Sequence, residues 1–312
     1  MATLADLAEL VRAPAALSVP GDVVAGAAAA GALSPRTPAL AGASVLLYWA
    51  GMAANDWADR RLDAVERPER PIPSGRVAPA AAVGLAAGLT VAGVGLAAAV
   101  GGRRAAALAV PLAATIWGYD LLAKNTAAGP AVMAACRGLD VLLGASGGKL
   151  VRALPAAATV AAHTWTVTAL SRREVTGADA ALPLRTLAGT ALVAASAAVA
   201  APGTRPGAAT RRADPTLTVD PTLSGRARSA RFAAALPAVL AGWYAARYGA
   251  AQAQVVRDPS AGRVRAAVGA GITGLPALQG ALTARGGAGL LGLAVAAAAP
   301  LGRRLARKVS PT

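Results

Sequence analysis

The sequence predicts an all-α protein, a polytopic membrane helical bundle. Two observations carry that expectation. Hydrophobic residues make up 55% of the 312, mean hydropathy is +0.50, and apolar runs long enough to cross a bilayer recur along the whole chain. Basic residues outnumber acidic ones, 31 to 15, and gather at the ends of those runs, where positive charge sets topology.

The first fifteen residues carry Leu4, Leu7, Leu10 and Val11 on one side, the pattern of a short interfacial helix. They lack the layout of a cleavable signal peptide. Spans then read at 16–34, 38–56, 78–100, 104–122, 128–147, 153–171, 181–201, 230–249, 264–283 and 286–302. The content of these runs is largely Ala and Gly, with one Phe and four Tyr in the chain, which suits close helix packing in lipid. Between the seventh and eighth spans, the Pro-rich stretch 202–230 reads as a flexible loop within one domain, 1–312. Arg60, Arg61, Arg67, Arg70 and Arg76, then Lys124, then Arg172 and Arg173 occupy alternate connections, which belong on the cytoplasmic side of a cell membrane. The basic stretch 202–231 runs against this alternation. No basic and aromatic surface pattern accompanies the charge, so anionic lipid and topology account for it and nucleic acid does not. High Ala, Gly and Arg is also the composition of a GC-rich bacterial genome.

Chemistry concentrates where the second span ends, in Asn55-Asp56-Trp57-Ala58-Asp59-Arg60-Arg61-Leu62-Asp63. On a helix Asp56, Asp59 and Asp63 share a face about 60° wide, where three anions repel unless cations bridge them. Acidic residues at a membrane helix end are expensive and mark function. Hard oxygens, one or two carboxylates together with substrate phosphates, are what Mg2+ prefers, so the motif proposes a magnesium diphosphate site. The following loop, Arg67-Pro68-Glu69-Arg70-Pro71-Ile72-Pro73-Ser74-Gly75-Arg76, is stiffened by proline and supplies arginines suited to phosphate oxygens. It also reads as an ordinary positive loop.

Asn55, Asp56, Asp59, Asp63, Arg67, Arg70, Pro71, Ser74 and Gly75, in this order and spacing, resemble the signature of the UbiA superfamily of intramembrane prenyltransferases. The resemblance implies about nine transmembrane helices around a central cavity, binding a prenyl diphosphate through Mg2+ and passing the prenyl group to a small aromatic or hydroxylated acceptor. Asn55, Asp56, Asp59 and Asp63 match the family's first acidic motif. Tyr119 and Lys124 stand where the family has a Tyr and a Lys that help to hold the diphosphate, with the spacing off by one residue and Asn125 in place of an Arg. Lys124 also reads as a snorkelling anchor.

The second acidic motif of the family is replaced by Ser171-Arg172-Arg173-Glu174-Val175-Thr176-Gly177-Ala178-Asp179. Glu174 and Asp179 are the remaining candidate metal ligands. Arg172 beside them can pair phosphate directly. With Cys136-Arg137-Gly138-Leu139-Asp140, this pattern is similar to the bacterial EboC-like subgroup. Arg137 and Asp140 lie three apart on one face of an apolar span, either as members of an ion pair or as lining of an acceptor pocket. Cys136 reads as buried packing, and His163 as either a satisfied bundle residue or a proton carrier. Two other functions remain compatible with these residues. A membrane terpene cyclase would share the ionisation step, though aromatic residues to stabilise migrating charge are scarce. A non-catalytic lipid or metabolite transporter could keep the fold with a degraded second motif.

Overall fold

The computed structural model describes residues 2–179, 181–199 and 221–298. Among them every regular element is helical, which agrees with the predicted fold class. Helix α1 (Leu4–Leu10) opens on a capping box, in which Thr3 and Asp6 satisfy each other's backbone N–H. A 3-10 turn, Ala13–Ser18, leads into α2 (Val19–Ala30), which stops at Gly31 in the left-handed region. Helix α3 (Thr37–Glu66) starts on Pro38 and ends before Pro68. Its 30 residues span about 45 Å, more than the roughly 30 Å of bilayer hydrocarbon.

Helix α4 (Pro79–Gly118) is two arms joined at Gly102, whose φ of 66° and ψ of −159° break the helix. The arms fold back on each other, because Trp117 Nε1 donates to Thr90 Oγ1 at 3.0 Å across 27 residues. In a straight helix those residues would stand about 40 Å apart. The expected spans 78–100 and 104–122 are these two arms. A π turn, Tyr119–Ala123, follows, then α5 (Gly129–Gly144), α6 (Leu150–Ser171), α7 (Ala181–Ala198), α8 (Pro221–Arg257), α9 (Ala261–Arg285) and α10 (Gly289–Ala298). The expected loop 202–230 lies outside the described residues as far as 220. From Pro221 onward the chain is already helical, with proline at the first position of the helix.

Three helical segments are long and apolar enough to cross a membrane by length and composition: Thr37–Glu66, Pro79–Ala123 and Ala181–Ala198. Two shorter apolar helices, Val19–Ala30 and Gly289–Ala298, join them. Helix α2 is the centrepiece and packs on α3, α5, α6 and α9. One apolar core lies among α2, α3, α4 and α5, around Leu47, Leu112 and Leu143. A second lies among α6, α7, α8 and α9, around Leu170, Leu240 and Leu278.

The Ala and Gly content does its packing work most visibly between α2 and α5. A Cβ on Gly26 would fall 1.8 Å from the Val141 carbonyl oxygen, and one on Gly144 would fall 2.0 Å from that of Val23. Each helix therefore uses a glycine to admit the other's backbone.

Candidate functional site

The C-terminal end of α3 carries the acidic motif on its face. Asp56 and Asp63 are buried and Asp59 is half-buried, and each meets a cation. Arg12, between α1 and the 3-10 turn, pairs with Asp56 at 2.6 Å. Arg70, in the loop after α3, pairs with Asp63 at 2.6 Å and approaches Asp56 at 3.5 Å. Lys124, just past the π turn, pairs with Asp59 at 2.6 Å. Three anions spaced i, i+3, i+7 are thus neutralised from three separate segments. This is how a helix end with such repulsion stays folded.

The π turn sets the last of these pairs. Lys124 N–H donates to the Tyr119 carbonyl at 2.9 Å, five residues back, and this wider winding carries the lysine round toward α3. The same turn brings Asp120, buried, to Asn55, whose amide donates to it at 3.1 Å. Tyr119 is half-buried at the start of the turn, and Arg67 is exposed at the end of α3. Within the loop 67–78 Ser74 donates to the Arg70 carbonyl at 2.7 Å, and Arg70 itself ties the loop to α3 through Asp63. Arg76 reaches further, to Asp6 and Glu9 of α1 at 2.7 Å each. These donors, with the capping Thr3, hold the Asp6 carboxyl down at about 2.

The α6–α7 connection is built differently. Arg172 is exposed and donates to the Thr126 carbonyl, tying this loop to the segment after the π turn. Arg265 of α9 donates to the Glu174 carbonyl at 2.7 Å, and partial burial pushes the Glu174 carboxyl up. Asp179 caps α7, accepting from the backbone N–H of Leu182 at 2.8 Å and of Ala181 at 3.0 Å, and that donation lowers its pKa. Among the described residues Glu174 and Asp179 share no hydrogen-bond or ion-pair partner with Asp56, Asp59 or Asp63. Among the described residues no three acidic, His or Cys side chains converge on a single metal position.

Deeper in the bundle Arg137 forms an interhelical ion pair with Asp22 at 2.7 Å, both buried. The Gln279 amide donates to Asp22 at 2.6 Å and to the Ser18 carbonyl at 2.7 Å. Arg137 also lies over the Tyr48 ring, 5.5 Å from its centroid. Asp140 does not pair with Arg137 within 4 Å; it accepts from the Ser44 hydroxyl. His163 is buried and shares a 2.8 Å hydrogen bond with the Tyr244 hydroxyl, and Cys136 is buried. Sequence reasoning missed Arg12, Asp22, Asp120 and Gln279. Asp22 and Asp120 each stand in an apolar span, a visible signal. Arg12 and Gln279 gave none.

Comparison with known proteins follows the same lines. Segments of the chain are similar to digeranylgeranylglyceryl phosphate synthases, 47% identical over 79 residues in Methanothrix thermoacetophila and 46% over 79 in Natronomonas pharaonis. Each match takes in 25% of this chain and spans 28% of the length of the curated relative. The fold is similar to that of a UbiA homologue from Aeropyrum pernix K1 in its apo form, with a TM-score of 0.57 at 18% identity over 89% of this chain and 96% of the other. It is also similar to a structure of digeranylgeranylglyceryl phosphate synthase in membranes, with a TM-score of 0.56 at 16% identity over 86% and 97% of the two chains. The model of the UbiA prenyltransferase family matches residues 18–203, more than half of the 312 and inclusive of the whole acidic end of α3, and the chain belongs to that family.

Proposed function

We propose that this integral membrane protein moves a prenyl group from a prenyl diphosphate to a small hydroxylated or aromatic acceptor, at the cytoplasmic surface of the membrane. The observation that carries this reading is the arrangement of Asp56, Asp59 and Asp63, each held by a cation that comes from a different segment. Such a site offers both kinds of group that a diphosphate needs. Carboxylate oxygens suit a divalent metal, and guanidinium and ammonium groups suit phosphate oxygens.

The family chemistry implies Mg2+, and the donor set fits it in one manner only. Asp56, Asp59 and Asp63 are hard oxygen donors, but they form no cage of their own. They are the residues that would hold the ion, together with oxygens of a bound diphosphate. When bound, the metal would supply charge stabilisation to the leaving diphosphate.

The chain's own residues then divide the work. Arg70 and Lys124 lie beside the acidic face and would stabilise negative charge as the C–O bond to the diphosphate breaks. The allylic cation so formed must be kept from water until the acceptor's hydroxyl oxygen or ring carbon attacks it and gives up its proton. Asn55 and Asp120 would fix the π turn, and through it Lys124. Tyr119, Arg67, Arg172, Glu174, Asp179 and Arg137 are further candidates for substrate contact, with Glu174 and Asp179 the candidate ligands on the second connection. The relatives' name makes geranylgeranyl diphosphate and a glycerol phosphate lipid with a free hydroxyl the first donor and acceptor to try.

The test is pyrophosphate release by the purified protein in lipid, measured with prenyl diphosphates of several chain lengths, with and without hydroxylated and phenolic acceptors. Release that needs Mg2+ and an acceptor supports transfer. Release without acceptor points to a cyclase, and none with folded protein overturns the reading.

A further inference from the structure

Arg12 touches the acidic motif from outside it, and its backbone is unusual. At φ 46° and ψ 51° it is the one non-glycine residue with positive φ among the described residues. A residue is kept there only where its surroundings over-determine it, and such positions cluster at ligand clamps and switches. Here the surroundings are α1 on one side, strapped to the loop after α3 by Arg76, and the 3-10 turn on the other. The bend between them delivers the Arg12 guanidinium to Asp56.

The two arginines at Asp56 differ in a way that matters. Arg70 holds Asp63 at 2.6 Å and reaches Asp56 only at 3.5 Å, so it keeps a partner if Asp56 is taken by another group. The Arg12 side chain has Asp56 alone: one Nη2–H donates to the carboxylate, and the other guanidinium N–H groups have no protein partner among the described residues. That side chain remains 38% exposed while that of Asp56 is 5% exposed, so the arginine stays accessible where the carboxylate it holds is not. A planar guanidinium with free N–H groups suits bidentate pairing with phosphate.

Resting on the diphosphate reading above, we propose that Arg12 is a diphosphate-binding residue that exchanges partners. It guards Asp56 in the empty protein and turns to the diphosphate oxygens when substrate arrives, leaving Asp56 free for the metal. Binding of the anion and release of the carboxylate are then one event.

The experiment is equilibrium binding of inorganic pyrophosphate to the full chain in lipid nanodiscs, titrated at fixed Mg2+, for the native protein, Arg12→Gln and Arg12→Lys, with thermal unfolding measured alongside. The expected result is a Kd raised about tenfold or more in Arg12→Gln and less in Arg12→Lys, which keeps the charge but not the fork. Mg2+ alone should bind Arg12→Gln more tightly, because Asp56 has lost its guard. Unchanged pyrophosphate affinity with lowered thermal stability would make Arg12 a mere anchor of α1 and overturn the proposal. Tighter pyrophosphate binding would make it a plug and overturn it too. If Arg12→Gln does not fold, Arg12→Lys decides, with loss of affinity expected and native affinity contrary. Native protein that binds no pyrophosphate at any Mg2+ concentration overturns the diphosphate reading itself, an outcome distinct from native binding that Arg12 does not affect.

Discussion

Two clusters of charge stand at different depths in this molecule, and they are built on opposite terms. At the end of α3 three carboxylates meet three cations, and the cations arrive on separate segments: the N-terminal bend, the loop 67–78 and the π turn. In the centre of the bundle Asp22 alone pairs with Arg137 while Asp140 has no cation within 4 Å, and all three sit on helices and are buried. The central group completes itself with neutral donors, the Gln279 amide and the Ser44 hydroxyl. The outer pairs depend on three segments that are brought to α3 from different parts of the chain, whereas the central pair depends only on how the helices pack.

The largest effect should come from breaking the central pair. Arg137→Met leaves Asp22 buried without its cation, which costs about 3–5 kcal/mol. Yield of folded protein from membranes and its unfolding midpoint should both fall sharply, whatever ligand is present. Next comes the acidic end, where Asp59→Asn or Asp56→Asn should reduce Mg2+-dependent pyrophosphate release by roughly a hundredfold or more, since each removes charge felt mainly in the transition state. Stability there should change by only about 1 kcal/mol, because the pairs are partly exposed. A variant that lost fold before activity would erase the distinction between the clusters.

Asp140→Asn should be milder than either, within about 1 kcal/mol, since Asn keeps a carbonyl oxygen for the Ser44 hydroxyl and does not strip Arg137 of Asp22. Thermal unfolding of Asp140→Asn beside Arg137→Met checks this directly. The smallest effect is a pH effect on the strap. The Asp6 carboxyl lies near 2 in the folded chain against an ordinary 3.8, so it favours the docked α1 fully above 3.8 and loses that contribution as pH falls through about 2. Amide hydrogen exchange across residues 3–12 should quicken over that window, and Asp6→Asn should remove the pH dependence.

The motif made much of the acidic end legible, because its chemistry is local: one helix face and one adjacent loop hold Asn55, Asp56, Asp59, Asp63 and Arg70. The expected helices also followed from apolar run length, including the two arms around Gly102 that two glycines and an arginine separate in sequence. Long-range partnerships were not legible. Arg12 lies 44 residues from Asp56, and Gln279 lies 257 from Asp22. Neither carries a local signal, since an arginine before a span looks like topology and a glutamine in a span looks like tolerance. The pairing of Arg137 with Asp22 rather than Asp140 was hidden for the same reason: spacing on one helix says which side chains share a face, and packing decides which of them meet.

The reciprocal glycines between α2 and α5 have a mechanical meaning. With each backbone lodged where the other's side chain would be, the two helices cannot slide past one another by the width of a methyl group without collision. They form a single beam that also carries Asp22 and Arg137. Away from the beam, α1 and the loop after α3 make a small body of their own: Leu10 and Val11 at the end of one, and Ile72 and Val77 of the other, are buried together against Ala53, Ala54, Ala82 and Ala86, beneath the charged straps of Arg12 and Arg76. The molecule is thus a stiff frame with a cap that is tied by charge and packed by apolar contact, so salt should loosen the straps without by itself releasing the cap.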